Sequence, residues 1–399
     1  VLLAGYAIAG GASRPDQLGQ VVSRGLSTLV LLAIVLLGDL HFRHKSLWLL
    51  VAGAAGLAVL QLVPLPPSMW GLLPAAAGGI KASGWRTISQ NPGATYNALF
   101  SLLTPITILA LSCGSAAPLG RDALRALILL VLASSLVALF QVADVFPDNI
   151  FINETLGAAS GFLANRNHQA LLLSIGIVLL PGWVILPVGV APWRIWCAAG
   201  AAIWLVLMIL ATGSRAGILL ALLALAFDII LLGLSLRRRA GRAWLRSQPQ
   251  WMRLALPLSA VLVITLPVAL SLVANRALSV ERAIDLNAGD DIRIRAAPTI
   301  FQASLDNLPF GTGLGSFDST FRMVEPFELL KPTYFNHAHN EFLEIALDAG
   351  HRGPPQGAHM SPELSYGRHA GPAPRTARPA AVALLLFRRE FDQYINLRP

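Results

Sequence analysis

The chain has 399 residues, of which 55% are hydrophobic and only 13% are charged, and its formal net charge is +9. Soluble domains carry about 25% charged residues, so this composition excludes an ordinary soluble enzyme and indicates a polytopic membrane protein. In such a protein, an excess of lysine and arginine reflects cytoplasmic loop bias and a site for an anionic lipid substrate, not nucleic-acid binding. Cys113 and Cys197 show neither a CxxC spacing nor a disulfide framework, which favours small residues packed in helices.

Long apolar runs recur over the first 274 residues. A helical span needs about 20 mostly apolar residues. The chain starts with Val1 inside such a run, so we expect its true start to be missing, and we find no cleavable signal peptide. We predict an all-α bundle with spans at 1–12 (a remnant), 25–39, 47–65, 97–115, 123–144, 169–188, 195–212, 215–236 and 254–274.

The basic residues set an orientation for these spans. Residues 237–253 contain six arginines and no acidic residue, and the positive-inside rule places this loop in the cytoplasm. Counting spans from it puts the loops at 13–24, 66–96, 145–168, 212–215 and 275–338 on the outer side. The arginines that then lie outside against the general bias include Arg166, Arg215, Arg293 and Arg295. An anionic ligand would account for them, because an arginine near hydrocarbon is usually paired or functional.

Two short polar segments lie at the outer ends of spans. The segment Gly161–Ala170, GFLANRNHQA, either caps the following helix or points hydrogen-bond donors at a ligand. The segment Thr212–Gly217, TGSRAG, places Arg215 at a helix start, where the helix dipole is already positive. A bound anion would relieve that conflict, and the alternative is that Arg215 simply extends to the membrane interface.

The predicted loop 275–338 is the one long extramembrane segment. It contains DDIRIR at Asp290–Arg295 and the glycine-rich LPFGTGLGSF at Leu308–Phe317. The glycines resemble a phosphate-binding loop, but no strand–helix unit surrounds them, so we interpret them as a tight turn that packs the loop on the membrane face. Arg293 or Arg295 either contacts an anion or forms a surface ion pair with Asp290 or Asp291.

The stretch Tyr334–Gly353, YFNHAHNEFLEIALDAGHRG, places titratable side chains at the start of an amphipathic helix. His337 and His339 stand one residue apart, and Asn340 follows. A zinc site is disfavoured because no third ligand stands at suitable spacing. Histidine titrates near neutral pH, so acid–base chemistry suits the pair better, with interfacial hydrogen bonding as the alternative.

Four of these motifs together resemble the O-antigen ligase family. His339-Asn340, with Gly350 and Gly353 downstream, matches its H-N-x9-G-x-x-G pattern. Ser214-Arg215 resembles the family's arginine at the outer end of a mid-chain helix, and FLANRNHQA is similar to its asparagine-rich helix start. Asp291–Arg293 with the glycine-rich segment resembles the opening of its periplasmic loop. The resemblance covers roughly residues 25–353.

The resemblance implies a glycosyltransferase of GT-C-like architecture in the bacterial inner membrane, with its active site facing the periplasm. The donor would be a glycan on undecaprenyl diphosphate and the acceptor the lipid A–core, with no cofactor and no metal. Arg215, Arg293 and Arg166 would bind the diphosphate, because arginine binds phosphate bidentately. His339, with His337 as the fallback, would activate the acceptor hydroxyl, and Asn340 would orient the imidazole.

Other functions stay open at this point. A polymerase of the same superfamily would pass the glycan to another carrier-linked repeat. A transporter of lipid-linked glycans would explain the spans and the arginines. It would not need a His–Asn cluster on an outer loop, and it would more often carry charges deep within several spans.

The motifs divide the chain into four parts. We expect a transmembrane bundle over 1–274, a periplasmic catalytic loop over 275–338 and the start of a further helix over 339–353. Residues 354–399 are rich in Pro, Gly and Arg and cannot continue as apolar spans. We expect this tail to be frameshifted or disordered, and we assign it no function. If it is native, the last spans are missing and an inactive membrane protein becomes the third alternative.

Overall fold

Long apolar helices are the repeated element of this fold. The computed structural model describes residues 2–9, 18–70, 84–114, 120–145, 159–185, 192–237, 292–330 and 335–350, with isolated positions between 246 and 265. Within these residues, seven helices are long and apolar enough to cross a membrane. The prediction of an all-α polytopic membrane protein is confirmed. The predicted span at 254–274 and the tail at 354–399 lie outside the described residues, apart from isolated positions in the former.

The described helices follow one another with few other elements. In chain order they are α1 Leu2–Ile8, α2 Leu18–Leu36, α3 Lys45–Leu62, α4 Pro67–Trp70, α5 Pro92–Ser101, α6 Leu103–Cys113, α7 Gly120–Val142, α8 Arg166–Ile185, α9 Pro192–Ala211, α10 Arg215–Arg237, α11 Ile292–Asp306, α12 Phe317–Val324 and α13 Glu341–Ala349. Helices α5 and α6 together form one span. Phe327–Leu329 is a short 3-10 helix, and β1 Pro64–Leu65 pairs antiparallel with β2 Arg86–Thr87.

Two spans begin five or more residues earlier than the apolar pattern predicts. The pattern places their starts at 25 and 97, whereas α2 begins at Leu18 and α5 begins at Pro92. In α2 the polar first turns are helical because Arg24 donates to Asn97 on the neighbouring helix, at 2.8 Å from the side-chain oxygen. In α5 the Asn91 side chain accepts a hydrogen bond from the Ala94 N–H at 3.1 Å, and Pro92 occupies the first turn.

Contacts between helix termini show which termini lie together. The Gln61 Nε2 atom, at the end of α3, donates to the Asp348 backbone oxygen near the end of α13 at 2.9 Å. The Gln141 Nε2 atom, at the end of α7, donates to the Gly161 oxygen just before α8 at 3.1 Å. Because successive spans alternate in direction, the ends of α3 and α7 and the starts of α2, α5, α8 and α10 share one end of the bundle. We call it the site end.

Two hydrophobic cores support these helices. Helix α8 packs between α7, α9 and α10, and the fully buried side chains there include Leu173, Ile177, Leu205 and Ile209. A second core lies within residues 292–350, where α11, α12 and α13 bury Ile300, Phe317, Phe321, Phe335 and Leu347. We call residues 292–350 the cap segment. Its aromatic core gives this segment a packed structure of its own.

Candidate active site

The starts of α8 and α10 are joined by side-chain hydrogen bonds. The Asn165 side chain accepts from the Asn167 N–H at 2.8 Å, and the Ser214 hydroxyl accepts from the Gly217 N–H at 3.0 Å, so each caps its helix. The same Ser214 hydroxyl donates to the Asn167 side-chain oxygen at 2.7 Å. Ser214 is almost fully buried, which makes the link a fixed part of the fold.

This link places Arg166 and Arg215 on neighbouring helix starts. Each is the first residue of its helix, with Arg166 half-buried and Arg215 exposed. The N-terminus of a helix carries a partial positive charge and suits an anion. Two guanidinium groups beside two such termini therefore form a strongly positive region. The sequence analysis identified both arginines but did not find the Ser214–Asn167 bond that brings their helices together.

Glu344 fixes the histidine segment to the first turns of α13. One carboxylate oxygen lies 2.8 Å from the His337 Nδ1 atom, and the other accepts from the Ala338 N–H at 3.0 Å. The Glu344 side chain is only 16% exposed, whereas the His337 side chain is 56% exposed. Glu344 thus holds both the imidazole and the backbone that leads into His339. Sequence analysis missed it, because a seven-residue separation across a helix start follows no periodic pattern.

The Glu344 contact also changes the acid–base properties of His337. The hydrogen bond to Glu344 raises the pKa of His337 above its ordinary value, partial burial works in the opposite direction, and the charges of Glu344, Glu341 and Asp348 raise it further. An imidazole that donates from Nδ1 to a carboxylate keeps its Nε2 atom as the acceptor when neutral. His337 is therefore held in one tautomer and one orientation.

His339 occupies an unusual backbone conformation against the aromatic core. Its φ is 52°, in the left-handed region that costs a non-glycine residue about 1–3 kcal/mol. Its ring lies edge-on to Phe335, with 5.4 Å between the centroids, and Phe335 is buried against Phe317 and Phe321. The packed core and the Glu344 clamp hold a backbone conformation that an isolated peptide would disfavour.

Asn340 acts as the helix cap of α13. Its side-chain oxygen accepts from the Phe342 N–H at 3.2 Å and from the Leu343 N–H at 3.3 Å. These contacts assign the side-chain oxygen of Asn340 to the helix cap, and the expectation that Asn340 orients an imidazole stays a prediction. Glu344 orients the imidazole of His337.

The backbone N–H groups of the glycine-rich turn form hydrogen bonds within the protein. Every N–H from Gly311 to Ser316 donates a hydrogen bond within the protein. The first three donate to the backbone oxygens of Asn307, Leu347 and Asp348. The next three donate to the Gln61 side chain, the Asp348 carboxylate and the Gly313 backbone oxygen. A phosphate-binding loop needs such donors free. The structure therefore agrees with the interpretation as a tight packing turn, which contacts α3 and α13 at the site end.

Comparison with known families supplies the decisive observation. Residues 200–353 match the family described as O-antigen ligase. This match supports membership of the O-antigen ligase superfamily, whose members are membrane glycosyltransferases of the ligase or polymerase type. The seven long apolar helices agree with a multi-pass membrane protein of this kind. No curated protein and no solved structure matches the chain.

The O-antigen ligase match contains most of the candidate residues. Arg215 lies at the start of α10, and Arg293 is exposed in the first turn of α11. His337, His339 and Asn340 lead into α13, while Arg166 precedes the matched residues. Asp291, the first residue of the predicted DxR motif, lies outside the described residues. The structure places these groups on two surfaces, the helix starts and the cap segment, both at the site end.

Asp348 joins α13 to the glycine-rich turn. Its carboxylate accepts from the Gly315 N–H at 2.7 Å, and Ser316 Oγ lies 3.4 Å away. Burial raises the pKa of Asp348 to about 7, while these hydrogen bonds work in the opposite direction. Among the described residues, no group of three or more His, Cys, Asp or Glu side chains could hold a metal ion.

Proposed function

We propose that this protein is an O-antigen ligase that moves a glycan from undecaprenyl diphosphate to the lipid A–core at the periplasmic face of the inner membrane. The observation that carries the proposal is the O-antigen ligase match over residues 200–353, which contains both Arg215 and the clamped histidine segment. The alternation of the spans gives these two features the same side of the membrane. The positive-inside rule makes that side periplasmic.

The arginines would bind the diphosphate of the donor. Transfer breaks the bond between the sugar's anomeric carbon and the diphosphate oxygen, so negative charge grows on the leaving group. Arg215 and Arg166 project from positive helix starts, and Arg293 from the cap segment. Guanidinium groups contact phosphate oxygens bidentately and stabilise this developing charge.

His339 would activate the acceptor hydroxyl. The hydroxyl oxygen forms the new bond to the anomeric carbon, its proton passes to the imidazole, and the lipid diphosphate leaves with the bonding electrons. The Glu344 clamp would act as a positioning device, because it holds His337 and the Ala338 N–H immediately before His339. His337 is the alternative base, since its carboxylate partner leaves Nε2 as the acceptor.

A polymerase of the same superfamily would use the same donor chemistry. It would pass the glycan to the terminal sugar of a second carrier-linked glycan instead of the lipid A–core. The O-antigen ligase match covers both types of transfer, so the acceptor must be found by experiment.

A transfer assay separates these functions. The purified protein in lipid nanodiscs receives a labelled undecaprenyl-diphosphate glycan together with lipid A–core. The proposal expects label to move onto the lipid A–core. A ladder that grows on the carrier, with lipid A–core untouched, would establish the polymerase instead. Movement of labelled lipid across a bilayer without any transfer would establish the transporter.

A further inference from the structure

A cavity lies among the first helices, and none of the candidate active-site residues lines it. It has a volume of about 360 Å³, and its lining includes Tyr6, Ser23, Arg24, Ser101, Thr104 and Pro105. Cavities of roughly 300–1,000 Å³ are the size that small ligands and cofactor groups occupy. The cavity lies where α1, the first half of α2 and the junction of α5 and α6 meet.

Arg24 gives this cavity its charge. Its Nη2 atom donates to the Asn97 backbone oxygen at 3.0 Å and to the Asn97 side-chain oxygen at 2.8 Å. In the part of the chain that the structure describes, no carboxylate forms an ion pair with Arg24. A guanidinium has five N–H donors, and the two bonds to Asn97 use only one of its nitrogens. An arginine within a span costs about 2.5–3.5 kcal/mol and is usually paired or functional.

The hydroxyl groups beside Arg24 are already ordered. The Tyr6 and Ser27 hydroxyls lie 2.8 Å apart, and Ser27 Oγ lies 3.2 Å from Thr104 Oγ1. Thr107 donates to the Ser27 backbone oxygen at 3.0 Å, which ties α6 to α2. These bonds fix the cavity wall before a ligand arrives. A preformed wall lowers the conformational cost of binding.

The position of the cavity indicates which kind of molecule would supply a bound anion. Arg24 lies six residues after the start of α2 at Leu18, or about 9 Å along the helix from the site end. Leu18 and Val21 on the same helix are 77% and 67% exposed, so this surface of α2 is open to membrane lipid. A lipid headgroup can reach an anion site at this depth.

We propose that this cavity binds the phosphate group of a membrane lipid, with Arg24 as its guanidinium partner. The site uses none of the residues proposed to bind the donor, and it does not depend on the proposed transfer reaction. Phosphate is the shared chemistry of a phospholipid headgroup and of free phosphate. Native mass spectrometry of the purified full chain tests the proposal, with phosphatidylglycerol, uncharged diacylglycerol and inorganic phosphate as separate probes.

The wild-type chain should retain one phosphatidylglycerol that diacylglycerol does not replace, and excess inorganic phosphate should not displace it. Arg24→Gln should weaken that binding about tenfold or more, because it removes a charged hydrogen-bond donor. Ser101→Leu should weaken it too, because it fills the cavity while leaving Arg24 and Asn97 in place. Arg125→Gln is the matched control, since Arg125 is exposed at the other end of the bundle and pairs with Asp122.

Equal phosphatidylglycerol retention in the wild type and both cavity variants would overturn the proposal. So would equal binding of diacylglycerol, since it lacks the phosphate. Displacement by inorganic phosphate at comparable concentration would overturn the lipid source. Because Ser101→Leu preserves the Arg24–Asn97 contact, loss of binding in that variant cannot be assigned to loss of this helix contact.

Discussion

Gly350 is the residue whose replacement tests the packing of the site most sharply. Its φ is 72°, and a Cβ atom there would meet the Pro309 oxygen, with the Gly311 nitrogen only 2.7 Å away. A left-handed conformation costs an L-residue about 1–2 kcal/mol, and overpacking against backbone costs about 1–3 kcal/mol more. We therefore expect Gly350→Ala to lower the local free energy of opening by about 2–5 kcal/mol.

Hydrogen–deuterium exchange measures this opening directly. Amides 311–316, whose N–H groups bond within the turn and to α3 and α13, should exchange at least about thirtyfold faster in Gly350→Ala. Peptides from α8 and α9 should keep their wild-type rates. The matched control is Gly53→Ala in α3, where a Cβ atom would meet nothing within 4 Å. Unchanged exchange at 311–316 in Gly350→Ala, or equal acceleration in Gly53→Ala, would refute the packing argument.

Three further substitutions probe separate parts of the site. Glu344→Gln should lower the pKa of His337 toward its ordinary value, as measured by NMR titration. It should also slow glycan transfer about ten- to hundredfold without moving the acidic limb of the pH profile of transfer. An acidic limb shifted to lower pH would identify His337 as the base. Arg215→Gln should slow transfer about 10²–10³-fold, whereas Arg125→Gln should not, and equal rates would exclude Arg215 from diphosphate binding. Asp348→Asn should remove a pH dependence of thermal stability: burial raises the pKa of Asp348 from 3.8 to about 7, so its contribution is full below about pH 4 and falls as the pH rises toward 7. A wild-type slope retained in Asp348→Asn would contradict this reading.

The apolar runs predict the spans well, because helix length and composition alone decide whether a segment can cross a bilayer. The starts of α2 and α5 lie before the predicted ones because the residues there are partly polar: Arg24 bonds to Asn97 across the two helices, and Asn91 caps α5. Hydropathy carries no information on such pairs. The same limit explains why the pattern gives the type of each element and not its first residue.

Only some residues of the candidate site can be predicted from the sequence. His337, His339 and Arg215 could be found in the sequence because short motifs carry them. Glu344, Gln61 and the Ser214–Asn167 bond could not, since each depends on a contact that no local spacing encodes. The sequence already favours a tight turn for the glycine-rich segment, because no strand–helix unit surrounds it, and the bonds made by its N–H groups agree with that interpretation.

The central claim is that the clamped histidine segment carries out glycan transfer at the site end. The most direct test compares His339→Ala with the wild type in the nanodisc assay, with His41→Ala as a control that pairs with Asp39 outside the site. The account predicts that His339→Ala loses transfer to lipid A–core, while His41→Ala keeps the wild-type rate and both variants insert in the membrane. Wild-type transfer by His339→Ala and also by the double variant with His337→Ala would contradict it.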